Sequence, residues 1–437
     1  MRLNKTLTRV GALSATVTLA LALTACGNGS DGGGSDAPAD TATGQPANGG
    51  GGDAATSEVC AAVGAAPNSD TVTLTMWESL QGPDQWVQQA GAAFTECFPN
   101  VTVNFVNVEI GDAPSQILLD APAGTGPDVF VVPHDNLGGL VAAGMVIPVS
   151  NPDAVRANVS EGAALGATFN GVLYGFPTAT ETYALFYNRD LVDTPPTSWD
   201  DMYAFALDFN ADHPGSYGFV FDIGAYYSFL FTTAEGNRLF GPSGDDAENT
   251  NINSAASVAG MEQFASLRPA LDVDAGDLNT AIADALFSSG EAAMHISGPW
   301  NVQPFTDAGI DFGVTTLPSL VGDGVPATSF AGVRIALVSE FSANEDWAQL
   351  FAEFLTTPAM AQLRVDITGA LSASSSPITY ENPVISGFQE QMAYAFPMPS
   401  IPEMGRFWDA MNAASANIWN GADIQAELDM ADAAIRG

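Results

Sequence analysis

Val72-Thr73-Leu74-Thr75-Met76-Trp77 alternates as a half-buried strand does, and Gly82-Pro83 then opens a stretch with Trp86, Val87, Ala90, Phe94 and Cys97 on one helical face. After Phe98-Pro99-Asn100 the alternation returns from Val101 to Val108. A helical stretch follows around Ile117 to Leu119, and Gly126-Pro127-Asp128-Val129-Phe130-Val131-Val132 reads as a third strand. Repeated strand–helix–strand units predict an α/β layer with a mostly parallel sheet. In such sheets ligands sit beyond the carboxyl ends of the strands, which singles out Glu78 and Asp135. Further strands are expected near Ala184 to Tyr187, Ala292 to Ile296, Phe312 to Val314 and Gly332 to Val338. The part from Phe407 onward reads helical.

Outward from this layer, the N-terminus reads as a secretion signal. Met1-Arg2-Leu3-Asn4-Lys5 and Arg9 precede an apolar run from Val10 to Leu23, shorter than the roughly 20 residues that a membrane-crossing helix needs. The run ends in Leu23-Thr24-Ala25-Cys26, which resembles the lipobox of bacterial lipoproteins. That resemblance implies acylation of Cys26 as the mature N-terminus and a signal peptide of residues 1–25. Residues 26–57 hold Gly, Ala, Asp, Asn, Ser and Thr without an aromatic side chain, a composition that cannot bury enough surface to fold. They read as a flexible tether with a root-mean-square reach of roughly 30 Å.

Beyond the signal, Cys60 and Cys97 are two cysteines in a chain bound for an oxidising space. A disulfide between them would stabilise by about 3 to 4 kcal/mol; two unpaired buried thiols are the alternative. The roughly 380 residues after the tether are too many for one ordinary core and suit two lobes. Fifty acidic residues against eleven basic ones, a formal net charge of −39, oppose binding to nucleic acid or to anionic headgroups. Lys5 is the only lysine. After removal of the signal, mechanisms needing a lysine nucleophile or a phosphate-binding lysine are excluded.

Catalytic signatures are missing from the sequence. It has no G-x-x-x-x-G-K-[ST], no H-E-x-x-H, no G-x-S-x-G and no closely spaced cysteine pair, and its histidines are scattered at positions 134, 213 and 295. Asp272-Val273-Asp274-Ala275-Gly276-Asp277 has its glycine one place early for a calcium loop, and no bidentate Glu follows at the right distance, so it reads as a solvated turn. No cofactor or metal is expected. Carboxylate pairs of a glycosidase remain conceivable among fifty acids, because their separation in space is not written in the sequence.

Four stretches carry a family resemblance. They are Gly126-Pro127-Asp128-Val129-Phe130 with His134-Asp135-Asn136-Leu137-Gly138; Tyr174-Gly175-Phe176-Pro177 with Glu181, Leu185-Phe186-Tyr187-Asn188-Arg189-Asp190-Leu191 and Pro196-Thr197-Ser198-Trp199-Asp200-Asp201; Met294-His295-Ile296-Ser297-Gly298-Pro299-Trp300; and Pro397-Met398-Pro399-Ser400-Ile401-Pro402-Glu403-Met404 with Phe407-Trp408. Together they resemble the maltose- and maltodextrin-binding proteins, a branch of the solute-binding proteins that serve ATP-binding-cassette (ABC) importers. The resemblance implies an α/β, two-lobed periplasmic-binding-protein-like fold (type II) with the ligand cleft between lobes. The N-lobe would be 58–180 plus 329–377 and the C-lobe 181–328 plus 378–437. It also implies a monomer on the extracellular face of the membrane that hands a malto-oligosaccharide to ABC permease subunits by hinge closure, breaking no bond. Other sugars (trehalose, sucrose, a branched α-glucoside) and a sensing or adhesion lipoprotein are the alternatives.

Pyranose rings offer apolar faces to aromatic side chains and hydroxyls to charged or amide partners. By the resemblance, Trp300, Trp408 and Tyr226 stack on sugar, with Tyr227 an alternative to Tyr226. Asp135 and Glu181 accept from hydroxyls, and Glu78 lines the opposite wall. Phe407 and the tryptophans at 77, 86, 199, 347 and 419 are assigned to packing, and Asp135 has helix capping as its structural alternative. Asn136, Val132, Asp409 and Asn412 depart from residues that some members carry, which puts subsites, chain length and linkage in question.

Overall fold

The computed structural model describes residues 59–437; the signal segment, Cys26 and the tether lie outside the described residues. Strand β1 (Val72–Glu78) is followed by helix α1 (Pro83–Cys97), β2 (Val101–Asn107) and β3 (Val129–Pro133). Proline at the first turn of α1 costs no hydrogen bond there. Trp86, Val87, Ala90 and Phe94 then recur on one buried face. Trp86 donates from its indole N–H to the Met360 carbonyl (3.0 Å), and the Phe94 ring packs on Trp347, Phe351 and Phe354. At the end of α1, Cys97 forms a disulfide with Cys60, with Cα atoms 5.4 Å apart.

Next come β4 (Gly175–Glu181), β5 (Ala184–Asn188), helix α2 (Ala225–Thr232), β6 (Met294–Ser297), β7 (Phe312–Thr315) and β8 (Phe330–Val338). Helix α3 (Pro358–Thr368), the short β9 (Phe396–Pro397) and helices α4 (Glu403–Trp419) and α5 (Ile424–Arg436) complete the elements used below. Among the described residues six strands make the first sheet, in the order β9-β8-β3-β1-β2, with β4 on β8 as well. The second sheet has the order β6-β5-β7.

The expected strands are present, but the prediction of mostly parallel sheets needs correction. β1 is parallel to β2 and β3, whereas β8 runs antiparallel to both β3 and β4, and β5 is antiparallel to β6 and β7. The alternating units before residue 133 carry the parallel expectation and do pair in parallel, whereas the later strands pair with partners far along the chain in a direction that no local pattern gives. β4 is not among the expected strands, and it contains Pro177. The proline is tolerated at a bulge: Arg334 faces Ala179 while the next residue, Ile335, faces Pro177, so Thr178 is the extra residue.

Two hydrophobic cores result, one to each lobe. One gathers residues of β1, β3 and α1 with Phe176, Val333, Ile335 to Val338, Trp347 and Phe351. The other gathers Tyr183 to Phe186, Trp199, Phe221, Phe287, Phe305, Phe330, Phe407 and Trp419. Strand β8 passes from one to the other within three residues, Phe330 belonging to the second and Val333 to the first. No helix among the described residues is long and apolar enough to cross a membrane.

Candidate sugar-binding site

The turn after β3 carries His134 and Asp135. Burial keeps the His134 imidazole neutral, lowering its pKa to about 4 although a hydrogen bond with the Met398 backbone pulls the other way. Its Nδ1 accepts from the Val333 N–H at 3.1 Å. The histidine thereby fastens the turn both to β8 and to the segment leading into α4. Gly138 is required for the same approach, because a Cβ there would stand 2.3 Å from the Ser400 carbonyl oxygen. In this way the first and fourth of the sequence stretches meet.

Their meeting brings Trp408 to Asp135: the indole N–H donates to Asp135 Oδ2 at 2.9 Å. Phe407, its neighbour on α4, is fully buried, as expected, while Trp408 is half-buried. Asp135 makes no side-chain cap, and its second oxygen, Oδ1, is buried without a partner. Burial raises its pKa to about 6, against the Trp408 hydrogen bond and with the help of the Glu181 charge.

Tyr226 sits in the first turn of α2, between the two tryptophans. Its ring centroid lies 6.4 Å from Trp300 and 6.3 Å from Trp408, with Phe330 stacked at 6.0 Å and Tyr183 edge-on at 5.1 Å. Trp300 folds back over Gly298, where a Cβ would meet the indole ring at 2.1 Å. Asn412 of α4 accepts from the Ala225 N–H (2.8 Å), locking the helix that bears Trp408 to the one that bears Tyr226. The residue that departs from the family pattern at 412 is therefore a structural tie. The Tyr226 hydroxyl is buried and unpartnered. Tyr227 faces the core instead, at 4% exposure, and the tryptophans assigned to packing are all buried.

Glu181, at the end of β4, accepts from Arg334 Nε at 2.9 Å. Glu78 departs from its expected place lining the opposite wall. It is 1% exposed, with Oε1 3.0 Å from Arg364 Nη2 and 3.6 Å from Arg334 Nη1, and Oε2 accepts from the Ser79 N–H. Burial alone would raise its pKa, but the two guanidiniums override this and hold it below the ordinary value. Arg364 also lies over the Trp86 ring, 4.3 Å from its centroid. The structure thus brings Asp135, Glu181, Tyr226, Trp300 and Trp408 into one neighbourhood and withdraws Glu78 into a charge network behind it. Arg334, Arg364, Phe330 and Tyr183 went unread in the sequence. A lone arginine inside the apolar strand Phe330–Val338 was the one available signal.

The turn with calcium-like acids is occupied by protein: Arg268 pairs with Asp274 at 2.8 Å. Among the described residues no group of three or more acids, histidines or cysteines is placed to hold a metal ion.

Two lobes, a strand passing between their cores and a cluster of aromatic and acidic side chains drawn from both define a solute-binding protein. Residues 89–381 match the bacterial extracellular solute-binding proteins, and the chain belongs to that family. It is 32% identical over 390 residues to a galactooligosaccharide-binding protein of Bacillus subtilis, covering 85% of this chain and 91% of that one. It is 28% identical to a maltotriose-binding protein of Pyrococcus abyssi, over 81% of this chain and 79% of the other. Among solved structures it resembles a cyclo/maltodextrin-binding protein complexed with maltotetraose, with a TM-score of 0.71, 29% identity and coverage of 83% and 96%.

Proposed function

We propose that the protein captures a maltose-type oligosaccharide between its lobes and presents it to the membrane subunits of an ABC importer. The observation that carries this reading is the aromatic cluster of Tyr226, Trp300 and Trp408 with the unpartnered Asp135 Oδ1 and Tyr226 hydroxyl beside it. Buried polar atoms without partners cost about 1 to 3 kcal/mol each, and sugar hydroxyls between aromatic faces supply what they lack. Two or three hydrogen bonds to carboxylates plus stacking suffice for micromolar affinity, about −8 kcal/mol. The kinship to maltotriose- and maltodextrin-binding proteins supports the same cargo.

In this reading the lobes comprise 58–180 plus 329–377 and 181–328 plus 378–437. A ligand touching both favours the closed form by its higher affinity for it. Glu181 joins Asp135 in accepting from hydroxyls, and Glu78 supports them from behind. Residues 1–25 are a lipoprotein signal, Cys26 the acylated residue and 26–57 the tether holding a monomer at the outer face of the membrane. A maltooligosaccharide-binding lipoprotein of Streptococcus pneumoniae, 27% identical over 318 residues, supports the anchor. A galacto-oligosaccharide cargo is the second reading, favoured by the 32% identical relative.

Isothermal titration against maltose, maltotriose, maltotetraose, panose, trehalose, sucrose and galactobiose tests the cargo. Micromolar binding confined to α-1,4-linked glucosides is expected, weakened about ten- to a hundredfold by Trp300→Ala or Trp408→Ala. Binding of galactobiose alone replaces the cargo with the second reading.

A further inference from the structure

We propose that Arg334 is a ligand-contacting residue, donating a guanidinium N–H from β8 to an oxygen of the bound sugar. The inference rests on the sugar-binding reading above and adds to it a residue that lies in none of the four stretches carrying the family resemblance.

The guanidinium is incompletely used. Nε is committed to Glu181 at 2.9 Å, but Nη1 is buried and has no hydrogen-bond partner. Glu78 Oε1 stands 3.6 Å from it, beyond hydrogen-bond range, and already accepts from Arg364. Glu78 therefore balances the charge without satisfying the N–H. Arg364 also has unpartnered nitrogens, but its guanidinium lies against the Trp86 ring, so an aromatic face accounts for them. No aromatic ring serves Arg334 in that way among the described residues.

Position points the same way. Arg334 occupies the step of β8 where pairing with β4 shifts register, and the Thr178 hydroxyl of the bulge donates to the Arg334 carbonyl at 3.2 Å. Bulges re-aim side chains, often beside active or binding sites. The same step lies between Phe330 of one core and Ile335 of the other, and it pairs on its far side with Pro133, two residues before Asp135. Arg334 and Glu181 both interact electrostatically with Tyr226, and Glu181 does so with Asp135. The unpartnered Arg334 Nη1, Tyr226 hydroxyl and Asp135 Oδ1 thus belong to one cluster.

A guanidinium only donates and an ionised carboxylate only accepts. A sugar hydroxyl does both, so the one at Arg334 turns a lone pair to the guanidinium and the one at Asp135 turns its hydrogen to the carboxylate. Removing the hydroxyl that faces Arg334 therefore weakens binding to the unaltered protein more than to a variant lacking the donor.

The test titrates the unaltered protein, Arg334→Lys and Arg334→Gln with maltotriose and its monodeoxy derivatives, with thermal unfolding of each variant as the folding control. One monodeoxy derivative is expected to bind about ten- to a hundredfold more weakly than maltotriose to the unaltered protein, and nearly as well as maltotriose to Arg334→Gln. Equal weakening across the whole panel in both variants assigns Arg334 to positioning Glu181 and overturns the contact. Should Arg334→Gln fail to fold, arginine-labelled unaltered protein decides between the same two roles. Maltotriose should slow rotation and proton exchange of one guanidinium, absent in the spectrum of Arg334→Lys, and an unchanged guanidinium overturns the proposal. A protein that binds no sugar overturns the cargo reading together with this one, whereas sugar binding without the arginine signature overturns this one alone.

Discussion

Asp135 is held under two opposing demands. Its carboxyl titrates near 3.8 in the unfolded chain and at about 6 when folded, so between those values the folded state holds more protons. Stability contributed by this group therefore falls as pH rises through that window, and the full cost, about 2 to 3 kcal/mol, is present above it. Asp135→Asn keeps an acceptor for Trp408 while removing the charge. It should raise the unfolding temperature at pH 8, leave it nearly unchanged at pH 4, and weaken sugar binding at both; scanning calorimetry and titration at the two pH values check this. Asp135 and Trp408 were legible because each stands in a recognisable stretch, one after a strand and one on a helix. Glu78 was not, because the partner that withdraws it from the cleft, Arg364, lies 286 residues further along the chain. Nor was Arg334, whose role depends on a register shift that no local pattern encodes.

At the scale of elements, β1 and β2 were legible from alternation, since each leaves part of one face exposed, and β3 was legible as a continuous apolar run because it is buried on both faces. Strand β4, which contains Pro177, was not among the expected strands, and the antiparallel pairing of β5 with β6 and β7 depends on contacts spanning more than a hundred residues. Helix α3 shows how a buried charge holds such distant parts together. Arg364, 2% exposed, joins the end of β1 through Glu78 and packs on Trp86 of α1. Arg364→Met leaves the Glu78 carboxylate buried with one arginine at 3.6 Å, and should destabilise by about 3 to 5 kcal/mol. Changing both to apolar residues, Glu78→Leu with Arg364→Met, should recover most of that loss. Urea unfolding of the single and double variants measures both.

Over the whole molecule, chain length announced two lobes, whereas the bond by which Trp408, packed against the second core, reaches Asp135 after β3 was visible only once the chain was folded. Fifty acids against eleven bases leave the chain strongly negative, and added salt shortens the reach of the repulsion among them to about 3 Å at 1 M. The unfolding temperature should rise by several degrees between 10 mM and 0.5 M sodium chloride; a flat or falling trend would show that local ion pairs outweigh the general repulsion. The disulfide gives the molecule a mechanical property as well. Tension arriving along the chain ahead of Cys60 crosses the sulfur bridge to Cys97, so β1 and nearly all of α1, enclosed in the loop between them, stay off the load path. A pull from that end is felt first at the junction of α1 with β2, and β1, held between β2 and β3, rides slack.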